Sequence, residues 1–390
     1  MSLLRNYSTQ SLNREWQAYA RDTNSPSYQS TLVEFLEELY QVPLVQAYGR
    51  KYPATLYPAD SETLYPFEGL CHLTSPAATA SEPANEEQKH YLKVLGERLR
   101  RPYMTGFYLK KMHLGEAGKV LRIDAGVSDY YQNTLTAHYL EWEAYKNIKR
   151  IKEGPASLAL DYLPLRRRYH GDLSPHHAIL APANAFPLIS VQAMVVFKDY
   201  RNKADIDWKI VVVRRPDSTA VAPGRWQFQP AGGFEVYGKD VDCNEDLITR
   251  QFDLSRALLQ EYAEELFNAD GVLSQQDNRE VDTAMANEHV QRLLRLVDNG
   301  RASMEFLGVV VELAFMRHEL SFLIVVDDEE YSLQQFFGSK DESDSFFTER
   351  PEAIKTLLVR DGVHSSSAGL LELAMHSNTF RQLGLGQRLA

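Results

Sequence analysis

Two stretches in the C-terminal half decide the fold of this chain: Trp226-Gln-Phe-Gln-Pro-Ala-Gly-Gly-Phe-Glu235 and Gln260-Glu-Tyr-Ala-Glu-Glu-Leu266. The first contains a glycine pair, Gly232 and Gly233, just after a short apolar run. Glycine has no Cβ, so the backbone can approach a ligand closely and its amide groups can face a phosphate. This stretch therefore predicts the end of a strand at which an anionic group binds.

The second stretch predicts a helix with carboxylates next to its buried side. Apolar residues recur at helical spacing over about residues 253–267. Glu261 and Glu265 fall at the edge of the apolar stripe, and Glu264 points further outward. Carboxylates close to a core are costly without a cation, and bound Mg²⁺ or Mn²⁺ is one remedy. We expect these three glutamates to ligate such an ion, with Arg256 as the competing partner.

The composition describes a large acidic chain. Its 390 residues are 44% hydrophobic, which allows two domains with separate cores. The net charge of -11 argues against non-specific binding to nucleic acid or to an anionic membrane. Cys71 and Cys243 form no metal-ligand spacing or disulfide framework, which is typical of a reducing compartment. No stretch predicts a signal peptide or a membrane-spanning helix, so we expect a cytoplasmic protein.

Residue patterns around the two stretches predict an α/β arrangement in the C-terminal half. The predicted strands are residues 190–198, 208–214, 226–228, 306–315 and 320–326, and the predicted helices are residues 253–267, 288–297 and 365–375. The first 180 residues predict an α+β domain whose role the sequence does not show. Its predicted elements are helices at 27–41, 86–100 and 128–149, strands within 106–124 split at Gly115, and loops at 52–83. Prolines near residue 155 and in 181–187 predict hinges, which gives two domains, 1–180 and 186–390.

The two opening stretches resemble the signature of the Nudix hydrolase family, Gly-x5-Glu-x7-Arg-Glu-(apolar)-x-Glu-Glu-x-Gly. Gly233 matches the first glycine, Glu261 the glutamate after the arginine, and Glu264 and Glu265 the closing pair. The resemblance covers about residues 186–380. It implies a Nudix-like α/β/α sandwich with a mixed sheet in the C-terminal half, preceded by the α+β domain.

The chain departs from this signature at several positions. Lys239, Gln260 and Phe267 stand where the family has a glutamate, an arginine and the last glycine. About 13 residues are inserted between the first glycine and the closing glutamates. The insertion, within residues 236–252, is acidic, and we expect one of its carboxylates to replace the missing glutamate.

The resemblance implies metal-dependent hydrolysis of a nucleoside diphosphate linked to another moiety. Glu264 and Glu265 would ligate Mg²⁺ or Mn²⁺, and Glu261 would be a ligand or the base that activates water, which makes Glu261 and Glu264 the catalytic candidates. The candidates for substrate binding are Gly232, Gly233, Arg214, Arg225 and Trp226. The expected partner is a nucleotide-type small molecule rather than nucleic acid or membrane, and homodimer formation stays open.

Two alternatives compete with this hydrolase. A degenerate Nudix-like domain would bind a nucleotide ligand without cleaving it, as a sensor or interaction module, and the altered signature positions favour this role. The stretch His170-Gly-Asp172-Leu resembles the catalytic loop of aminoglycoside and choline kinases, in which the aspartate is the base. His177 stands in place of the metal-binding asparagine and no Gly-rich loop precedes it, so this phosphotransferase is a remote alternative. A polar contact between domains, with Asp172 bridging an arginine of 166–168, is the simpler interpretation.

Overall fold

The computed structural model describes residues 9–79, 83–96, 104–153, 160, 163–216, 224–236, 245–269, 284–332, 336 and 346–390. Within these ranges the strands are β1 (Gln46–Ala47), β2 (Arg50–Lys51), β3 (Ala54–Leu64), β4 (Cys71–Ala78), β5 (Thr105–Leu114), β6 (Val120–Asp129), β7 (Ile189–Asp199), β8 (Asp207–Arg214), β9 (Trp226–Phe228), β10 (Ala231–Gly233), β11 (Ala302–Glu312), β12 (Arg317–Val326) and β13 (Phe346–Glu349).

The α-helices in the same part of the chain are α1 (Thr9–Thr23), α2 (Pro26–Tyr40), α3 (Glu86–Leu95), α4 (Tyr130–Asn133), α5 (Tyr139–Glu153), α6 (Pro164–His170), α7 (Pro175–Leu180), α8 (Glu245–Gln251), α9 (Leu254–Phe267), α10 (Glu288–Asp298), α11 (Glu329–Ser332), α12 (Pro351–Asp361), α13 (Ser365–His376), α14 (Asn378–Gln382) and α15 (Leu385–Leu389). A π-helical turn, Thr134–His138, joins α4 to α5. None of the helices in the described ranges is both long and apolar enough to cross a membrane.

Eleven of the described strands form one mixed sheet. Its main order is β13-β8-β7-β12-β11-β3-β6-β4, with β10 beside β7, β9 beside β8 and β5 beside β6. Strands β7 and β12 run parallel, whereas β11 and β12 form an antiparallel hairpin. The antiparallel pairing of β11 with β3 continues the sheet into the first 180 residues. The predicted domain boundary at residues 180–186 therefore lies between strands of a single sheet.

Helices cover both faces of the sheet because its strands are apolar on both sides. Along β7, Val191, Ala193 and Val195 contribute to the core under α9 and α10, while Met194 and Val196 contribute to the core under α12 and α13. Near-continuous apolar strands of this kind are typical of a sheet buried between two helical layers. The predicted α/β sandwich with a mixed sheet is confirmed.

The prediction of loops over residues 52–83 is wrong, since this stretch forms β3 and β4. Its prolines suggested irregular backbone, yet Pro58 lies opposite Gly308, where the register between β3 and β11 shifts. Such a bulge tolerates a proline that lacks a ladder donor. Gly308 has φ 141, and a Cβ there would lie 2.3 Å from the carbonyl oxygen of Tyr57. The bulge therefore requires glycine on one strand and accommodates proline on the other.

Candidate functional site

Helix α9 begins and ends at clear capping residues. The Asp253 side chain accepts a hydrogen bond from the backbone N–H of Arg256 at 3.2 Å, and Asn268 closes the helix in the left-handed conformation with φ 52. Leu258, Tyr262 and Leu266 are fully buried. The predicted helix is confirmed, and its apolar stripe holds the glutamates against the sheet.

Glu261 lies directly over Gly232. The side chain is only 5% exposed, and a Cβ built on Gly232 would lie 1.9 Å from Glu261 Oε2. Strand β10 sets this position by pairing Gly232 with Val191 of β7, whose side chain belongs to the core under α9. Only glycine leaves room for the carboxyl group, so the structure brings together the two opening stretches of the sequence.

Electrostatics at Glu261 favour its protonated form. Burial raises the pKa of Glu261 well above its usual value, and the nearby carboxylates of Glu264, Glu265 and Glu235 raise it further. The positive charge of Arg317 opposes these effects. Three other carboxyl groups are thus within electrostatic reach of Glu261.

Glu264 is oriented by the residue that replaces the arginine of the signature. The Gln260 side-chain amide donates to Glu264 Oε1 at 3.0 Å, and Gln260 is itself buried. An arginine there would place a positive charge beside the carboxylate, whereas glutamine donates from a neutral amide. Gln260 therefore orients Glu264 without adding a positive charge.

Glu235 is a site residue that the sequence reasoning missed. A Cβ built on Gly233 would lie 2.6 Å from Glu235 Oε1, so the Glu235 side chain turns back over the glycine pair. Strand β10 ends at Gly233, and Glu235 forms an isolated antiparallel bridge with Gly106. The sequence did contain a signal for Glu235. A carboxylate two residues after a glycine pair can contact a ligand that binds at those glycines.

The described residues do not by themselves complete a metal cage. No three His, Cys, Asp or Glu side chains in the described ranges lie close enough together to hold a metal ion. Asp240 and Asp242 of the acidic insertion lie outside the described residues. The described carboxylates could therefore hold a divalent cation only together with ligands from outside this set, such as phosphate oxygens and water.

The other predicted substrate-binding residues lie elsewhere. Arg214 ends β8 with an exposed side chain. Trp226 is 2% exposed, and its indole N–H donates to Asp361 Oδ2 at 3.0 Å. Arg225 donates to the carbonyl oxygen of Asp361 at 3.2 Å and lines a cleft of about 750 Å³. The structure brings Glu261 to Gly232 but places Arg225 and Trp226 at the start of α13.

The His170-Gly-Asp172 stretch connects α6 to α7. His170 is buried, with Nε2 3.0 Å from the Tyr40 hydroxyl, whereas Asp172 is exposed and makes no ion pair with a described residue. The polar contact to the C-terminal half comes instead from Arg166, which donates to the carbonyl oxygens of Leu313 and Ala314 at 2.9 and 2.8 Å. The expected contact between domains exists, but the predicted bridge through Asp172 is wrong.

The sequence matches no family model and no curated protein. Among solved structures, the chain is similar to a NUDIX hydrolase from Alicyclobacillus acidocaldarius, at 18% identity and a TM-score of 0.27 over 48% of this chain and 90% of that one. It is also similar to a chain of the complex between the C-terminal domain of mouse MUTYH and human PCNA, at 14% identity and a TM-score of 0.23 over 47% of this chain and 86% of that one. Similarity this remote does not establish an activity for this chain.

Proposed function

We propose that the C-terminal half is a Nudix-type hydrolase that cleaves a phosphoanhydride bond in a nucleoside diphosphate linked to another moiety, with Mg²⁺ or Mn²⁺ as cofactor. The observation that carries this proposal is the Glu261 carboxyl group over Gly232, with Glu264, Glu265 and Glu235 close enough to raise its pKa. Buried like charges beside exposed backbone are costly unless a ligand offsets them. A cation bound together with a diphosphate would offset them.

Each residue of the cluster has a proposed role. One or two of Glu261, Glu264 and Glu265 would hold the divalent cation together with substrate phosphates and water, and Glu235 would replace the signature glutamate, at whose position this chain has Lys239. The cation would polarise the phosphoanhydride and lower the pKa of the attacking water. Gln260 keeps Glu264 oriented through its amide. The backbone at Gly232 would face the phosphates.

The test is a substrate panel with matched variants. The purified protein would be incubated with Mg²⁺ or Mn²⁺ and ADP-ribose, NADH, nucleotide sugars, dinucleoside polyphosphates or cyclic dinucleotides, and products would be separated by chromatography. We expect at least one to be hydrolysed, and Glu261→Gln or Glu264→Gln to lower kcat/KM at least about 100-fold because each removes a carboxylate from the cluster.

The matched control is Glu68→Gln, which makes the same chemical change in an exposed turn. It should leave kcat/KM within about twofold of the wild type. Hydrolysis that survives in both Glu261→Gln and Glu264→Gln would contradict the proposed site.

A second candidate function is nucleotide binding without cleavage. It is favoured by the neutral Gln260 donor to Glu264 and by the raised pKa of Glu261. In that case no member of the panel turns over, while one binds with an affinity that Glu264→Gln leaves unchanged. Isothermal titration of the panel would separate the two functions.

A further inference from the structure

A cleft of about 750 Å³ lies between α2 and the junction of α12 with α13. The Ala314–Phe315 turn and residues 50–53 also line it. This volume is within the range of pockets that bind small molecules. None of the described residues lining the cleft belongs to α9 or β10, so a ligand bound in the cleft is independent of the proposed hydrolysis.

Two arginines converge on a single glycine at one end of the cleft. A Cβ built on Gly362 would lie 2.2 Å from Arg225 Nη1 and 2.8 Å from Arg50 Nη1. Gly362 has φ 85, so both its backbone conformation and the space above it favour glycine. The two arginines come from distant parts of the sequence. Arg50 lies on the β1–β2 hairpin, whose turn is formed by Tyr48 and Gly49, both with positive φ.

Neither guanidinium is neutralised by a carboxylate. Arg225 donates to the Asp361 carbonyl and Arg50 to the Val359 carbonyl, each at 3.2 Å. Among the described residues, no acidic side chain forms an ion pair with either arginine. Burial lowers the pKa of Arg225 and the charge of Arg50 lowers it further, which is the repulsion expected of two unpaired cations.

Three of the four acidic residues that line the cleft have a partner near its walls, and the fourth, Glu34, lies on α2 and accepts a hydrogen bond from the Ser30 hydroxyl at 3.2 Å. Glu37 pairs with Lys51 at 2.8 Å, and Asp361 pairs with Arg360 at 2.7 Å. Tyr19 donates a short hydrogen bond to Glu141, and burial raises the pKa of Glu141 to about 7. The charge left over at the Gly362 end is therefore positive.

Helix α13 adds its N-terminus to the same end. Val363, the N-cap residue His364 and Ser365 line the cleft, and the helix has 12 residues. The first-turn N–H groups of a helix favour an anion. Tyr52 lines the same cleft, and the charges of both guanidiniums oppose the effect of burial on its pKa. It stays protonated and can donate.

From this arrangement we infer that the cleft binds a phosphate-bearing small molecule, with its phosphate held by Arg50 and Arg225 above Gly362. Paired guanidiniums match the oxygen geometry of a phosphate through bidentate hydrogen bonds. The remainder of the ligand would lie along α2 toward Phe315. A molecule of mononucleotide size suits the volume of the cleft.

Binding would be measured by isothermal titration in EDTA, which excludes metal-dependent binding at α9. The probes are inorganic phosphate, pyrophosphate and ADP, with citrate as a carboxylate of comparable charge. We expect pyrophosphate or ADP to bind, and Arg50→Gln and Arg225→Gln each to weaken binding at least about tenfold. Arg360→Gln is the matched control, because Arg360 lines the cleft but is paired with Asp361, and it should change affinity less than about threefold.

Thermal unfolding of each variant shows whether it is folded, and Arg50→Gln should fold normally because Arg50 is exposed. The inference is overturned if the wild type binds none of the phosphates at about 10 mM. Equal losses in Arg360→Gln, unchanged binding in folded Arg50→Gln, or tighter binding of citrate than of pyrophosphate would overturn it too. Hydrolysis by the α9 cluster is measured separately and can fail without affecting this result.

Discussion

The carboxylate cluster over Gly232 and the arginine pair over Gly362 each hold like charges close together, negative in the first and positive in the second. In both, like charges crowd above a glycine whose missing Cβ makes room for them. A carboxylate can relieve the repulsion by taking up a proton, which is the direction in which the pKa of Glu261 moves. A guanidinium stays charged at any physiological pH, so Arg50 and Arg225 can be relieved only by an anion. The first region therefore responds to pH and to cations, and the second to anions.

The largest expected effect comes from filling the space above Gly232. Gly232→Ala would place a methyl group on the Glu261 carboxyl group, which is only 5% exposed and would have to move. We expect the free energy of unfolding to fall by about 3 kcal/mol. Gly362→Ala should cost only about 1–2 kcal/mol, mainly from its positive φ, because the atoms it meets are the ends of the long Arg225 and Arg50 side chains, which can shift. Urea denaturation measures both.

Gly384→Ala is the control for backbone strain alone, since Gly384 has φ 68 and nothing within 4 Å of an added Cβ. In a Gly232→Ala background, Glu261→Ser should recover part of the loss because it removes the colliding group. If Gly232→Ala lowers the free energy of unfolding by less than about 1 kcal/mol, the Glu261 side chain can adopt another conformation.

The next effect is a pH dependence of stability. The folded-state pKa of Glu261 is raised, so the stability it contributes is complete below its usual pKa of 4.5 and is lost as pH rises toward the folded value. Glu261→Gln cannot ionise. We expect it to be more stable than the wild type at pH 8, with the difference shrinking toward zero near pH 4.5. Denaturation at a series of pH values, with Glu68→Gln as the control, measures this, and parallel profiles for wild type and Glu261→Gln would refute it.

The smallest effect concerns anion binding in the cleft. Glu141, with its pKa raised to about 7, lines the cleft and is faced by Tyr19, Glu312 and Arg166. Between pH 6 and 8 it becomes charged and repels an anion, while His364, with its pKa lowered to about 4, stays neutral. Pyrophosphate affinity in the wild type should fall by about threefold relative to Glu141→Gln over this range. The ionisation of the ligand cancels in this comparison, so equal pH profiles would exclude Glu141 from the effect.

The sequence predicted the first region better than the second because the signals of the first are local. Helical spacing placed Glu261 beside the core, and the glycine pair marked the strand end that it covers. Glu264 and Glu265 were also on the expected helix, although the described carboxylates do not close a cage. Helix α1 was not predicted at all.

The arginine cleft has no local signal. Arg50 and Arg225 are far apart in the chain, and each looks like an ordinary surface charge in its own segment. They meet above Gly362, where Arg50 arrives from the β1–β2 hairpin that precedes β3. The pairing of β3 with β11 is hidden in the sequence by the proline at its bulge. Tertiary contacts of this kind depend on which strands become neighbours, and periodicity within a strand does not contain that information.

The pairing of β3 with β11 has a practical consequence for dividing the chain. Seven residue pairs, from Glu305 with Leu64 to Glu312 with Ala54, join strands that lie on opposite sides of the predicted boundary. A fragment starting at residue 186 would leave the full length of β11 as a bare apolar edge, open to pairing with other molecules. Self-association of such a fragment would then report the missing strand rather than the native oligomeric state.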